Sequence, residues 1–301
     1  MKIKARDYMF QVTHETNILK VMTEGEAMKL KSVLKRMLVD LQNACFTNGI
    51  DFCVAYGTAL GAYRHKGFIP WDDDLDIQIT RDNWNRLKDK FDDILGDKYV
   101  LEAPHYKNKD TKALWGKVYL KGTRLVEIQD TEAPYCCGIY IDVFVLDYLP
   151  SNKFVRAMKM KSTYFLRAVA TSILYHTYPS KLMEQYMYAN PQSKYYYKAR
   201  KLLGALFAFI SHKKWCDMVD DFVQSRKVTP FLSSGFEPIL QRTESILPFV
   251  EGTFEGITVH LPHKIEEYLE DNYGKDYMQL PPLEKRERHY FVELDFGEEK
   301  S

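Results

Sequence analysis

Two periodicities in the hydrophobic pattern divide the chain into predicted helices and predicted strands. Residues 24–48 place apolar side chains at the spacing of one helix face, which predicts a packing helix that ends at Asn48 and Gly49. The apolar positions of that face are Met28, Val33, Leu34, Met37, Leu38 and Leu41. Residues 50–56, IDFCVAY, are apolar and rich in strand-forming types, and they predict a buried strand.

A second strand is predicted where acidic or amide residues alternate with aliphatic ones. Successive side chains of a strand point to opposite faces, so the two kinds of residue separate onto two sides. One side holds Asp74, Asp76 and Gln78, and the other holds Leu75, Ile77 and Ile79. The aliphatic side can pack into a core, whereas the acidic side must meet a positive group.

A glycine and a threonine, Gly57 and Thr58, stand between the first predicted strand and a helix-compatible stretch, residues 59–65. The first amides of a helix have no acceptor inside it, and its dipole adds positive charge, so this turn is a candidate phosphate site. Three basic residues follow it: Arg64, His65 and Lys66. An ordinary helix cap remains the alternative interpretation.

Four carboxylates cluster in the run GFIPWDDDLDIQ, residues 67–78: Asp72, Asp73, Asp74 and Asp76. Carboxylate oxygens suit a hard divalent cation, so Asp74 and Asp76 are candidate ligands of Mg²⁺ or Mn²⁺. Asp73 points away from Asp74 in an ideal strand and is expected to support the site indirectly. A solvated acidic loop is the alternative.

Positive charge is concentrated in residues 151–215, which hold twelve Lys or Arg residues and a single acid, Glu184. Helices are predicted over residues 154–175 and 195–210, with breaks at Pro179 and Pro191. The many aromatic residues there suit either the core of a helical subdomain over an active site or an anionic membrane surface.

The C-terminal part predicts a turn at Glu255 and Gly256 between two short strands, then a helix over residues 264–272 closed by Tyr273 and Gly274. A pocket-lining role for Tyr273 and His289 stays open, and a structural role is favoured for both.

Composition indicates a protein of the cytoplasm, in peripheral contact at most with the inner face of a membrane. The chain has 301 residues and a formal net charge of +1, which gives no general attraction to nucleic acid. Its five cysteines form no C-x-x-C pair, so neither a disulfide framework nor a zinc site is expected. The N-terminus lacks a signal-peptide core, and the longest apolar stretch, residues 202–210, is far shorter than the roughly twenty residues that span a bilayer.

The run YGTALGAYRHKGFIPWDDDLDI, residues 56–77, resembles the signature of the LicD family of phosphotransferases. Three further stretches resemble the same family: KVYLKGTRL at 117–125, GIYIDVFVLDYLP at 138–150, and the segment 254–282. The resemblance implies an α+β fold, with a nucleotidyltransferase-like mixed sheet flanked by helices and a helical insertion. Within a single catalytic unit, residues 25–150 would form the core, 151–235 the basic insertion and 236–301 a segment that packs on the core.

The resemblance also implies an activity, the Mg²⁺-dependent transfer of a phosphoryl-alcohol group such as phosphocholine. The donor would be CDP-linked, the acceptor a sugar hydroxyl of a surface glycan that can be lipid-linked, and the released product CMP. In that fold a Gly-Ser or Gly-Thr turn opens a helix, a D-x-D strand binds metal, and a later strand adds a third acid. Gly57 and Thr58 match the first element, Asp74 and Asp76 the second, and Asp142 the third.

The roles of the other site residues follow from these matches. Asp142 is expected to bind a metal or to accept the proton of the sugar hydroxyl, with the ligand role favoured, and Asp147 to make supporting hydrogen bonds. Lys117, Arg64 and His65 are expected to bind donor phosphates.

Two other functions stay open. A nucleotidyltransferase would use the same carboxylates and release pyrophosphate, and a binding module would keep the fold without chemistry.

Overall fold

The computed structural model describes residues 22–107, 111–234, 239–282, 286 and 291–297. It confirms the predicted α+β class. In chain order the helices are α1 (Glu24–Thr47), α2 (Tyr56–His65), α3 (Arg81–Leu95), α4 (Lys153–Thr177), α5 (Lys181–Tyr188), α6 (Pro191–Phe207), α7 (His212–Val223), α8 (Thr243–Ile246) and α9 (Ile265–Tyr273). The strands are β1 (Phe52–Val54), β2 (Asp76–Thr80), β3 (Tyr99–Glu102), β4 (Gly116–Leu120), β5 (Arg124–Glu127), β6 (Tyr140–Tyr148), β7 (Phe231–Ser233), β8 (Gln241–Arg242), β9 (Val250–Phe254), β10 (Ile257–Leu261) and β11 (Phe291–Asp295).

A mixed sheet forms the centre of the protein, with its main strands in the order β1-β2-β6-β4-β3. Strands β2 and β6 are parallel, while β1 with β2 and β4 with both β6 and β3 are antiparallel. Strand β7 pairs with the far end of β6 and with β8. The central strand, β6, is nine residues long and buried over nearly all of its length. A mixed sheet of this kind is compatible with the predicted nucleotidyltransferase-like core.

Helix α1 packs on the core as predicted, and it begins with a capping box in which Thr23 and Glu26 satisfy each other's backbone amides. Its apolar face is buried from Leu30 to Cys45, and it ends at Asn48. The prediction was wrong for Met28, whose side chain is 68% exposed, because this position lies outside the part of the helix that the core covers.

Three predicted element boundaries near the acidic loop were wrong. The first strand is shorter than residues 50–56, and α2 begins at Tyr56, so Gly57 and Thr58 lie in the first helical turn instead of before it. Strand β2 begins at Asp76, which leaves Asp74 in the loop that precedes it. The shorter first strand and the earlier start of α2 have one cause, since the chain turns at Ala55 and Tyr56 directly after three paired residues of β1.

The loop between α2 and β2 runs close against α2. A Cβ atom on Gly61 would lie 2.5 Å from the carbonyl oxygen of Gly67, closer than real Cβ contacts allow. Lys66 ends α2 in the left-handed conformation, with a φ of 59°. The tight reversal brings the acidic residues that follow back toward the start of the helix.

The predicted helical region contains four helices, α4 to α7. Helices α4 and α6 pack closely at Gly204, where a Cβ atom would lie 2.0 Å from the carbonyl oxygen of Ser172. Pro191 begins α6 at its first position, where proline is favoured, instead of breaking a helix. The predicted domain boundaries at residues 150 and 235 remain predictions. Within the residues described, no helix is long and apolar enough to cross a bilayer.

The C-terminal part has the predicted order of elements. Glu255 and Gly256, both with positive φ, turn the chain between β9 and β10. Helix α9 begins at Ile265, one residue later than expected, and Gly274 follows it with a φ of 84°. Tyr268 of α9 is fully buried, and its hydroxyl accepts a hydrogen bond from the amide of Tyr56 at 3.0 Å. The C-terminal helix therefore supports the start of α2.

A buried ion cluster joins the helical region to the sheet. Arg81, at the start of α3, donates through Nε to Asp147 of β6 at 3.0 Å and forms an ion pair with Asp220 of α7 at 2.9 Å. The amide of Ser225 also donates to Asp147. Asp147 thus makes the supporting contacts expected for it. Its side chain leaves β6 on the face opposite to Asp142, since the two positions differ by five residues.

Asp147→Ala should lower the free energy of unfolding by about 3–5 kcal/mol, because it leaves Arg81 buried without its closest counter-ion. Urea unfolding followed by circular dichroism measures the change. The matched control is Asp82→Ala, which removes an acid from an exposed pair with Arg226 and should change the free energy by less than about 1 kcal/mol. Equal effects of the two substitutions would contradict the structural role of the cluster.

Candidate active site

Four charged residues stand side by side on one face of the central sheet, one from each of four neighbouring strands. They are register partners, in the order Glu102 of β3, Lys117 of β4, Asp142 of β6 and Asp76 of β2. Register partners project to the same face, so the side chains form a row across the sheet. Their exposed fractions are 2%, 5%, 7% and 9% in that order. We call this set the charged row.

Lys117 and Asp142 form the closest ion pair of the charged row, with Lys117 Nζ 2.6 Å from Asp142 Oδ1. The indole Nε1 of Trp115 donates to the same oxygen at 2.7 Å. Lys117 Nζ also lies 3.5 Å from the ring centroid of Tyr140, a cation–π contact. The third predicted acid is therefore held in one orientation by two donors, and both bind Oδ1.

Glu102, at the other end of the charged row, has a raised pKa because burial disfavours its charged form. The amide of Cys136 and the hydroxyl of Thr111 donate to its carboxylate. The positive charges of Lys112 and Lys117 limit the rise. The sheet thus surrounds Lys117 with acids on both sides.

The start of α2 lies beside Asp76. The amide of Asp76 donates to Thr58 Oγ1 at 2.9 Å, so the two predicted motifs are joined directly. Thr58 is buried, and its hydroxyl retains one proton to donate. Gly57 and Thr58 belong to the first turn of α2, whose amides have no acceptor within the helix.

Tyr56, at the start of α2, has a φ of 43°, a left-handed conformation that is rare for a side chain of this size. Its hydroxyl forms a hydrogen bond with Ser234, and its ring packs edge-on against Phe144 with the centroids 5.0 Å apart. Unusual backbone conformations persist where surrounding contacts enforce them, and they are common at functional sites.

The carboxylate of Asp72 lies against the first turn of α2. A Cβ atom on Gly57 would lie 3.1 Å from Asp72 Oδ2, so the absence of a side chain at Gly57 makes room for this carboxylate. Asp74 is partly buried, while Asp73 is 9% exposed and lines a small cavity with Asp74 and Tyr140. The buried position of Asp73 agrees with a supporting role, which remains a prediction.

The predicted basic residues after α2 take different positions. Arg64 donates from Nη1 to the carbonyl oxygen of Tyr277 at 2.7 Å, and its charge interacts with that of Asp72. His65 has a lowered pKa because it is desolvated and lies close to Arg64. Arg64 therefore secures the C-terminal segment while it stays near the acidic loop. Phosphate binding by Arg64 and His65 remains a prediction.

One residue near the charged row was missed by the sequence analysis. Arg167 of α4 is 8% exposed, and its guanidinium carbon lies 5.6 Å from the ring centroid of Trp115. Burial lowers the pKa of Arg167 to about 10. The hydroxyl of Tyr273 has a pKa well above its ordinary value because of desolvation and the carboxylates of Asp76, Asp72 and Asp74.

The influence of these three carboxylates places Tyr273 near the acidic loop, and its pocket-lining role remains a prediction. His289 lies outside the described residues. No local sequence signal marks Arg167, since it comes from a helix that is distant in the chain. Only the fold brings α4 and α9 to the same edge of the sheet.

The donor chemistry of this edge fits a divalent cation. Asp76 and Asp142 are parallel-strand neighbours that face the same side, and Asp74 stands just before β2. Among the described residues, no group of three or more His, Cys, Asp or Glu side chains is arranged to hold a metal. Mg²⁺ commonly binds through one or two carboxylates together with substrate phosphates, so a full protein ligand set is not required.

The structure thus brings Thr58, Asp76, Asp142 and Lys117 together, with Gly57 and the acidic loop beside them. The assignment of Asp74, Asp76 and Asp142 as catalytic and metal-binding residues remains a prediction.

Residues 49–164 match a family model described as LicD/FKTN/FKRP, nucleotidyltransferase domain. Over 250 residues the chain is 24% identical to the lipopolysaccharide cholinephosphotransferase LicD of Haemophilus influenzae, a match that covers 83% of this chain and 90% of that protein. An uncharacterized protein of Rickettsia typhi is 39% identical over 61 residues, which is 20% of this chain and 18% of that protein. Another, from Rickettsia prowazekii, is 42% identical over 50 residues, which is 17% of this chain and 19% of that protein. The match to the family confirms the predicted resemblance.

Lys117→Met should lower the free energy of unfolding at neutral pH by about 3–5 kcal/mol, because it leaves Asp142 and Glu102 buried without their shared cation. The pKa of Glu102, already raised, should rise further. A raised pKa in the folded state means that stability is lost as pH rises through that pKa and regained as pH falls. Urea unfolding between pH 5 and about pH 8 measures this slope.

The control for Lys117→Met is the double variant Lys117→Met with Asp142→Asn, which removes one uncompensated charge and should recover part of the lost stability. A single variant as stable as the original protein would show that the charged row is not held by this ion pair.

Proposed function

Because residues 49–164 match the LicD/FKTN/FKRP nucleotidyltransferase domain and most of the chain is similar to a LicD cholinephosphotransferase, we propose that the protein is a Mg²⁺-dependent phosphoryl-alcohol transferase of the LicD type. The transferred group is phosphocholine or a similar alcohol, the donor is CDP-linked, and the acceptor is a sugar hydroxyl of a surface glycan. The observation that carries the proposal is the charged row beside the first turn of α2. The cholinephosphotransferase of Haemophilus influenzae, named for lipopolysaccharide, supports the choice of alcohol and acceptor.

Each part of the edge has a role in this reaction. The amides of Gly57 and Thr58 at the start of α2 bind a phosphate of the donor, and Lys117 offsets negative charge on the same group. Mg²⁺ would be held by the carboxylates of Asp74 and Asp76, with Asp142 as a further ligand, while Trp115 and Lys117 bind Asp142 Oδ1 and fix its orientation. When bound, the cation would neutralise charge on the donor diphosphate.

The chemistry is a displacement at phosphorus. The oxygen of the sugar hydroxyl forms a bond to the phosphorus that carries the alcohol, and the bond from that phosphorus to the bridging oxygen breaks. CMP leaves with the bridging oxygen and its electron pair, and the hydroxyl proton passes to a carboxylate of the site. Phosphoryl transfer of this kind depends mainly on positioning and charge stabilisation, which buried and fixed charged groups provide.

The substrate test is incubation with CDP-choline, CDP-ethanolamine, CDP-glycerol or CDP-ribitol, with Mg²⁺ and with lipopolysaccharide as the acceptor. We expect CMP release that depends on Mg²⁺ and is fastest with one of these donors. Release of pyrophosphate from a nucleoside triphosphate, without CMP from any donor, would establish a nucleotidyltransferase instead. The absence of both products, with no binding of donor or Mg²⁺ by calorimetry, would identify a protein without this chemistry.

Asp76→Asn should reduce CMP release by about a hundredfold or more while the protein stays folded, because it removes a charge at the diphosphate site. The measurement is the rate of CMP release at saturating donor, with circular dichroism to verify the fold. Asp82→Asn, the same change at an exposed position of α3, is the matched control and should have normal activity. Normal turnover by Asp76→Asn would rule out the assigned site.

Arg167 is proposed to bind the donor diphosphate from the side of α4. A guanidinium that is buried against Trp115, the residue that orients Asp142, is well placed to meet an anion there. Arg167→Lys should raise the KM for the donor about tenfold, since lysine cannot bind an anion in a bidentate manner. Arg200→Lys is the control, because Arg200 bonds to Ser172 and Thr171 within the helical region. An unchanged KM for Arg167→Lys would contradict this role.

A further inference from the structure

Helix α6 exposes its apolar residues instead of burying them. Tyr195, Leu202 and Leu206 are 78%, 63% and 62% exposed, and Phe209, just beyond the helix end, is 80% exposed. With the exposed Ala199 these positions follow the repeat i, i+4, i+7, i+11 and i+14, which places them on one side of a helix. We call these five residues the α6 stripe.

The other side of α6 is the packed side, so the exposure of the α6 stripe does not result from poor packing. Tyr197 and Gly204 are buried, and Arg200 donates three hydrogen bonds to α4, to Ser172, Thr171 and Ala168. The helix is therefore firmly held with its apolar side outward. Soluble surfaces seldom expose a continuous apolar stripe unless it contacts a partner or a membrane.

Helix α4 presents a second apolar stripe. Phe154, Met158 and Phe165 are 73%, 54% and 54% exposed and follow the repeat i, i+4 and i+11. Arg156 and Arg167, on the opposite side of α4, are buried. Helix α4 thus faces the candidate active site on one side, and on its other side it exposes an apolar stripe to solvent.

The charge around both stripes is positive. Lys194 and Lys198 are exposed beside Tyr195, and Lys198 lies four positions before Leu202. Lys153 and Lys161 are exposed on α4, where Lys161 lies four positions before Phe165. Neither α4 nor α6 contains an acidic residue. Lysines at the border of exposed Phe, Tyr and Leu side chains match the interfacial region of an anionic bilayer, with acyl chains below and negative headgroups beside them.

We infer that the α6 stripe, together with the exposed side of α4, docks the protein on an anionic membrane surface. The apolar side chains enter the boundary between headgroups and acyl chains, and Lys194 and Lys198 bind the headgroup phosphates. The inference stands on exposure and charge alone and does not depend on the proposed chemistry. A protein docked in this way would meet an acceptor carried by lipid without leaving the membrane.

The test is sedimentation of the full chain with vesicles of phosphatidylcholine alone or with phosphatidylglycerol. We expect binding to the anionic vesicles that weakens steeply as salt rises. Leu202→Gln with Leu206→Gln should reduce the partition coefficient more than about tenfold. The matched control is Met28→Gln with Leu280→Gln, two residues that are 68% and 58% exposed outside the helical region, and it should bind normally.

A second test measures the contribution of the lysines to binding of anionic vesicles. Lys194→Gln with Lys198→Gln should weaken anionic binding roughly fivefold for each lysine and reduce its salt dependence. Lys98→Gln with Lys107→Gln, which changes two exposed lysines of the core, should have little effect. Circular dichroism verifies that all the variants are folded.

Two results would overturn the inference. One is the absence of salt-sensitive binding to anionic vesicles. The other is sedimentation equilibrium that shows a dimer in solution which Leu202→Gln with Leu206→Gln dissociates, since the α6 stripe would then be covered by a second copy of the chain.

Discussion

The neutralisation of buried charge is the constraint on which this structure depends. A carboxylate inside a sheet is unfavourable unless a cation or several donors accompany it, and the central sheet holds three carboxylates in one row. Lys117 lies between two of them and binds one at 2.6 Å. The remaining acid, Asp76, stands where β2 begins, so the negative end of the row faces the start of α2 and its positive dipole. The same arrangement that allows the sheet to bury these groups leaves a negative edge at the start of α2, where the proposed cation and donor phosphate would bind.

The helical region is part of this arrangement. The cluster of Arg81, Asp147 and Asp220 joins α7 to the sheet, and Trp115 and Arg167 connect α4 to it. Both faces of β6 therefore carry charged contacts, with Asp142 on one and Asp147 on the other. A shift of these helices would therefore disturb groups beside the candidate active site.

Much of this could be predicted from local sequence. The spacing of apolar residues located α1, the alternation of acids and aliphatic residues located β2, and Gly57 with Thr58 marked the start of a helix. The start of α2 was misplaced because it depends on a left-handed Tyr56 held by Ser234 and Phe144, which lie 178 and 88 positions further along the chain, respectively. The pairing of Lys117 with Asp142 required the register of β4 against β6, and the places of Arg167 and Tyr273 required the packing of distant helices. Contacts between residues this far apart in the chain cannot be predicted from a local sequence pattern.

The hydrogen bond from the Asp76 amide to Thr58 Oγ1 closes the segment between the two motifs into a ring. Residues 59–75 form the segment that this hydrogen bond closes, and within it Gly61 lies close against the carbonyl oxygen of Gly67. The first turn of α2 and the first residue of β2 are thus linked both by the chain and by a hydrogen bond, so a displacement of either end carries the other with it.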